Sequence, residues 1–368
     1  MSESSRRSFL VSVGAMVLGK FMSGCAPSQE AFSVLLLSGS IPPQLIGEFR
    51  KQFSPSSGLD FRPEETLADL FAAIKNSQKV PNLITLGDSW LQEAISQKLI
   101  EPLEAEKITN WSKLPLQFSN LMKRDIRGNL DLKGKVWGAP YRWGSLVIAY
   151  RSDKLEKFGW TPQNWGDLWR EEIKDRLSLV DQPREVIGLT LHKLGYSYNT
   201  ANISSIRNLK SELLALQKQV KFYASDYYLQ PLVMGDTWVA VGWSGDILPL
   251  TKRYPNIKAI VPRSGTSLWC DVWVKPKNSG ANELVEKWID FCWQTRSANQ
   301  ISLFTNAVSP TILQMSRQEI APDIRDNSLL LPDNKILDQS EFILPLSAES
   351  SKQYLELWRE MRNSGTSD

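Results

Sequence analysis

The sequence predicts an α/β fold in two domains, and three observations carry that expectation. Short apolar runs of strand character alternate with amphipathic helical segments, the pattern of a sheet covered by helices. The chain has 368 residues, beyond the ~250–300 at which a single hydrophobic core stops growing. The stretch from Asp236 to Val274 holds two apolar runs whose tips are aromatic and polar together. No internal repeat or low-complexity tract is evident.

The N-terminus, residues 1–25, reads as a twin-arginine export signal with a lipobox. Ser5-Arg6-Arg7-Ser8-Phe9-Leu10 matches the pattern, and an apolar stretch runs on to Met22. That stretch is too short for a membrane span and Lys20 interrupts it. Met22-Ser23-Gly24-Cys25 has the form of a lipoprotein cleavage box, with Met where Leu is usual. Diacylation of Cys25 would anchor the mature protein to a membrane face; ordinary cleavage near Ala26 is the alternative. Processing would remove three cations and one anion from 43 basic and 40 acidic residues. The near-neutral remainder argues against nucleic acid or a polybasic membrane patch as partner. Cys270 and Cys292 would be the remaining thiols, too few for a disulfide framework.

Ser33 to Leu37 reads as a buried strand, Ser38-Gly39-Ser40 as a turn, and Pro42-Pro43 opens a helix with Leu45, Ile46, Phe49 and Phe53 on its apolar face. A second helix carries Leu67, Leu70, Phe71 and Ile74. Asn82 to Leu86 is a strand, Gly87-Asp88-Ser89 a turn, and Trp90 begins a helix; an N-cap role suffices for Asp88 or Ser89. Val136 to Ser145, with Gly, Pro and Tyr and no helical period, fits a hinge strand leading into the strand Leu146 to Tyr150. Lys154 to Arg176 reads as helices separated by Gly159-Trp160-Thr161-Pro162. After the strand Ser178 to Val180, Pro183 suits the first helical position with Gln182 before it. Glu185 then falls in the first turn, where the helix dipole favours an anion. His192, the only histidine, reads as a surface or edge residue of that helix. Leu209 to Val220 is an amphipathic helix, and Lys221 to Tyr223 a strand with Tyr227 and Tyr228 near its tip.

In the central stretch, Val239 to Gly245 and Ser267 to Val274 have strand character. The second run sets Asp271 among residues that otherwise favour burial. An unpaired buried carboxylate is costly or protonates, so a protein cation, water or a cationic ligand must meet it. A structural ion pair is the default for a lone Asp. Trp269, two residues away on the same strand face, and Trp243, ending the preceding run, add aromatic faces that suit an organic cation. Glu283 to Trp293 and Ala348 to Arg362 read as the last long helices.

No phosphate loop, dinucleotide fingerprint or metal-spaced Cys/His cluster is present, so neither cofactor nor metal is expected. Gly242-Trp243-Ser244-Gly245-Asp246 is not a nucleophile elbow, whose second glycine falls one place later. A Ser-His triad would need His192. An enzyme is not expected.

The order Gly242-Trp243-Ser244-Gly245, a spacer, Ile260-Val261-Pro262, then Trp269-Cys270-Asp271-Val272 resembles the spermidine/putrescine-binding group of ABC-transporter substrate-binding proteins. The resemblance runs from about Leu35 to the C-terminal helix. It implies a type II periplasmic-binding-protein-like fold, two lobes joined by hinge strands around a cleft. Lobe 1 would be residues 30–143 plus 270–338, and lobe 2 residues 144–269 plus 339–366. It also implies a monomeric protein at the extracytoplasmic face, closing on a small organic ligand and delivering it to an ABC permease.

Residue by residue, Trp243 falls where the family stacks an aromatic on the methylene chain, Trp269 at a second such wall, Asp271 at the carboxylate that grips an amine, and Glu185 at another carboxylate. The departures fall elsewhere. The family's Trp-Thr-x-Tyr is here Leu37-Ser38-Gly39-Ser40, its tyrosine pair is Ser89-Trp90, a further aspartate is Gln182, and a late tyrosine is Leu331. Fold and role therefore follow from the resemblance, but polyamine specificity does not. Arg142 stands where the family usually has an apolar residue; it would repel a linear polyamine and can grip a carboxylate, pointing to a zwitterionic ligand. Alternatively Arg142 pairs Glu185 or another acid and leaves a short diamine site. Tyr227-Tyr228 resembles the paired tyrosines of ferric-ion-binding relatives. An exported protein for ferric ion or a small anion is thus an alternative, as is a divergent enzyme or assembly lipoprotein on the same fold.

Overall fold

The structure, a computed structural model, describes residues 31–53, 58–76 and 79–364. Arg6, Arg7 and Cys25 lie outside the described residues. Strand β1 (Phe32–Leu37) lies between β2 (Leu59–Glu64) and β3 (Leu83–Gly87), all parallel. Three two-residue strands follow, β4 (Ile100–Glu101), β5 (Lys123–Arg124) and β6 (Lys135–Val136), then the long β7 (Ala139–Arg151). The remainder are β8 (Leu177–Leu179), β9 (Val220–Tyr223), β10 (Val239–Trp243), β11 (Ile257–Ile260), β12 (Ser267–Pro276) and β13 (Glu341–Phe342). The main path runs β2-β1-β3-β12-β7-β10-β8-β9.

β7 changes partner along its length. Its residues 139–145 pair with β12, and residues 146–151 with β10 and β11, all antiparallel. The strand is buried almost throughout, as expected where both faces are covered. Leu146, Ile148 and Tyr150 join one core while Val147 and Ala149 join another, the two-residue alternation of a strand. The same rule sorts β1: Phe32, Val34 and Leu36 pack with Leu45, Phe49 and Trp288, and Leu35 packs with Leu70 and Phe71. The expected crossings near residues 143 and 270 fall opposite one another, since Trp143 pairs with Cys270. Trp143, Trp165, Trp273, Trp288 and Trp293 are fully buried, so much of the tryptophan supply builds core.

Several expectations need correction. Beyond the short helix Ser152–Leu155, the segment to Arg176 forms 3-10 turns at Glu156–Phe158, Trp165–Trp169 and Glu171–Ile173 rather than helices. Gly159 takes a left-handed φ of 71°, and Pro162 lacks the N–H that a helix interior uses. The strand expected to reach Gly245 stops at Trp243, because Ser244–Arg253 is a helix. The helix from Leu209 ends at Gln217, and Val220 already belongs to β9. β2 and the helix Thr295–Thr305 arise where no element was expected. The final helix, Ala348–Ser364, packs on the helices Pro183–Lys193 and Leu209–Gln217, with Tyr354 and Met361 in their core.

Candidate ligand-binding cleft

The register of β7 against β12 lays the floor of a cavity of about 940 Å³. Arg142 stands directly opposite Asp271, and Gly144 opposite Trp269. Arg142 Nε donates to Asp271 Oδ2 at 2.7 Å, the two side chains being 10% and 4% exposed. Of the groups that could have met Asp271, the protein supplies its own cation; of the acids open to Arg142, the partner is Asp271 rather than Glu185. Burial raises the Asp271 carboxyl against the pull of Arg142. Burial also works against the guanidinium charge and is the largest single influence on it, but Asp271 and Tyr141 together more than offset it.

Gly144 is required by the indole across from it. A Cβ there would lie 2.5 Å from both Ser244 Oγ and Trp269 Cζ2, so a bare backbone is what lets Trp269 lie over β7. The Trp269 ring centroid is 5.9 Å from the guanidinium carbon of Arg142, a cation–π distance. Its Nε1 is buried without a hydrogen-bond partner. Ser145 N donates to Ser244 Oγ at 3.1 Å, fixing the start of the helix Ser244–Arg253 against the same floor.

Acids approach from three sides. At the end of β3 the cap position falls to Gly87, not Asp88. The Asp88 carboxylate instead accepts the Cys270 N–H at 3.0 Å. Burial pushes its carboxyl up to about 7, with that N–H and Arg124 pulling the other way. Glu185 occupies the first turn of Pro183–Lys193, with Gln182 as N-cap residue and Pro183 following it, as expected. Ser267 Oγ donates to Glu185 Oε2 at 2.5 Å and the Trp243 side chain adds a hydrogen bond, yet burial still raises its carboxyl. Asp246, in the first turn of Ser244–Arg253, accepts from the Tyr228 hydroxyl at 3.0 Å and is likewise raised by burial.

Tyr228 belongs to the framework: its hydroxyl also accepts the Trp243 N–H at 3.1 Å. Gly242 makes room for its ring, since a Cβ there would lie 2.0 Å from Tyr228 Cε2. Tyr227 is exposed instead, so the adjacent tyrosines do not act together. Among the described residues no cluster of His, Cys, Asp and Glu could hold a metal ion. His192 sits near the end of its helix and hydrogen-bonds the Ser264 carbonyl. Cys270 and Cys292 are buried, free thiols.

Ser38, Trp90, Arg142, Gln182, Glu185, Trp243, Trp269 and Asp271, singled out from sequence, all line this one cavity. Leu331 packs against the core instead. Sequence reasoning missed Asp88 as a cleft group, and Asp246, Glu65 and Arg184 altogether. Asp246 had a signal, an acid just after Gly-Trp-Ser-Gly, but only once a helix is known to start there. Arg184 Nη1 donates to the Leu344 carbonyl at 3.0 Å, tying the apolar segment Ile343 to Leu346 to the cleft. The lining carries five carboxylates, Glu65, Asp88, Glu185, Asp246 and Asp271, against the guanidinium groups of Arg142 and Arg184. Such a lining favours a cation, and the indoles of Trp90, Trp243 and Trp269 offer faces for its methylenes.

The family model for bacterial extracellular solute-binding proteins matches residues 78–339. The spermidine/putrescine-binding periplasmic protein of Escherichia coli is 24% identical over 356 residues, covering 96% of this chain and 97% of its own. The putrescine/cadaverine-binding protein of Pseudomonas aeruginosa is 26% identical over 254 residues, 66% of this chain and 71% of its own. The crystal structure of the spermidine/putrescine ABC transporter substrate-binding protein of Streptococcus pneumoniae superposes with a TM-score of 0.80 at 20% identity, over 92% of this chain and all of the other.

Proposed function

The chain belongs to the bacterial extracellular solute-binding proteins, and from that premise we propose that its ligand is a small organic amine held between two lobes. Proteins of this kind capture a small ligand and deliver it to a membrane permease. The observation that carries the amine reading is the excess of carboxylates over guanidinium groups in one tryptophan-walled cavity. Spermidine, putrescine and cadaverine, for which the relatives are named, supply the chemical class. Glu185, Asp246 and Asp88 would receive ammonium groups, while Trp90, Trp243 and Trp269 cover the chain between them. Ser38 and Gln182 add polar contacts at the rim.

We take residues 30–143 with 270–338 as one lobe and 144–269 with 339–366 as the other, β7 and β12 being the hinge. The protein binds and releases without chemistry, as a monomer, in the periplasm. Arg6-Arg7 route it there and Cys25 carries the lipid anchor. Calorimetry and thermal melts with putrescine, cadaverine and spermidine test the reading. A ligand at 100 times its dissociation constant adds about 2.7 kcal/mol of stability, and it should be recovered unchanged. No shift with any amine at millimolar concentration would remove the class.

A further inference from the structure

Resting on the amine reading of this cleft, we propose that the ligand carries a carboxylate as well as an ammonium group, and that Arg142 together with Trp269 is the subsite that reads the carboxylate. An arginine offers five N–H donors in a planar fork. Among the described residues the Arg142 guanidinium meets the Asp271 carboxylate, through Nε at 2.7 Å, and the Tyr141 hydroxyl. With Asp271 held through Nε alone, these two contacts leave donor capacity to spare among the five N–H groups of a cavity-lining side chain. Beside it, the Trp269 Nε1–H is buried with no acceptor, and the two side chains lie 5.9 Å apart, ring centroid to guanidinium carbon. Buried donors are nearly always satisfied. The spare donor capacity of Arg142, over the Trp269 ring and next to an indole with an unpartnered N–H, suits an acceptor that the protein does not itself provide.

Their positions are fixed by the sheet. Arg142 pairs with Asp271 and Gly144 with Trp269, two residues along the same strand pair. Asp271 is already neutralised by Arg142, so the floor of the cleft is not a seat for an ammonium group. The other acids stand off the floor: Glu185 and Asp246 on helix first turns, Asp88 at the end of β3. The cleft thus has acids facing a floor of donors. A linear polyamine laid across it would bring a second ammonium against a guanidinium in a poorly screened setting. A carboxylate in the same place takes charge-assisted hydrogen bonds from Arg142 and the indole N–H.

Pairs of equal length isolate that one charge. Calorimetry would compare 4-aminobutyrate with putrescine, 5-aminovalerate with cadaverine, and 6-aminohexanoate with 1,6-diaminohexane, on the wild-type protein and on the double variant R142Q/D271N. The double variant replaces the ion pair by two neutral groups of similar shape, so neither charge is left buried alone; R142K, which keeps the charge but loses the fork, serves should it fail to fold. The expected result is that at one or more lengths the amino acid binds at least tenfold tighter than the diamine, and that the preference falls at least tenfold in R142Q/D271N or R142K. Diamines that bind tighter at every length, or a preference that neither variant moves, would overturn the carboxylate subsite and leave an amine-binding protein. If no compound of either series binds and spermidine does not bind either, the amine reading itself falls with it.

Discussion

Ionising Asp88 means charging a carboxylate that is 6% exposed, and burial lifts its titration from the ordinary 3.8 to about 7. The unfolded chain gives up this proton near the ordinary value while the folded chain holds it to about 7. The stability conferred by the neutral acid is therefore complete below the lower value, drains as pH rises between the two, and is gone above about 7. Asp88→Asn can keep the Cys270 N–H bond and loses that drain. It should melt like the wild type near pH 4 and be more stable at pH 8, by about 2–4 kcal/mol; a melting series across pH reads this directly, and parallel curves would show that Asp88 is not the titrating group. A bound ammonium beside Asp88 would reverse the preference and hold the carboxylate ionised. Amine binding at pH 6 should then release a proton, visible as a buffer-dependent heat, and affinity should climb with pH up to about 7.

At the scale of elements, Gly144 is the position where sheet and site depend on one another most closely. Gly144→Ala places a methyl carbon 2.5 Å from Trp269 Cζ2 and Ser244 Oγ, so the indole must leave the floor or the helix Ser244–Arg253 must shift. The expected cost is about 1–3 kcal/mol of stability, read by denaturant unfolding, together with a changed tryptophan emission and at least tenfold weaker ligand binding. The elements that sequence made legible are those whose apolar period decides the matter locally: β1, β3, β12 and the helices Pro43–Phe53 and Leu67–Asn76. β2 stayed hidden because Leu-Asp-Phe-Arg-Pro-Glu contains a proline and two acids; it survives at the sheet edge, where Pro63 need not donate to a neighbour. The helix Ser244–Arg253 carries Gly245 and Pro249, both poor helix formers, and exists because Ile247 and Leu248 are buried. The site divides in the same way. Trp243 could be read from a strand end and Trp269 and Asp271 from within an apolar strand, whereas Asp88 looks like a cap in its own neighbourhood and is explained only by Cys270, 182 residues away.

For the whole molecule, the proposed export signal and lipid anchor can be tested before any ligand is known. Arg6→Lys with Arg7→Lys should leave precursor in the cytoplasm, and Cys25→Ala should leave exported protein soluble; partition of the Cys25→Ala protein into detergent like the wild type would remove the anchor. Within the folded chain, β7 belongs to two strand neighbourhoods in turn, and Arg142, Gly144, Asp271 and Trp269 sit where it changes from one to the other. On the proposed division into lobes, their relative rotation would pivot about this place, and a ligand resting on the floor would touch the axle rather than either jaw. Its first contacts would then form before closure, which would separate arrival from retention. Replacing floor residues should slow capture as well as weaken it, whereas thinning a wall, as in Trp243→Ala, should leave the association rate near its original value and shorten residence. A receptor built in this way can sample passing solutes at the encounter rate and commit only to those that let the far wall come down.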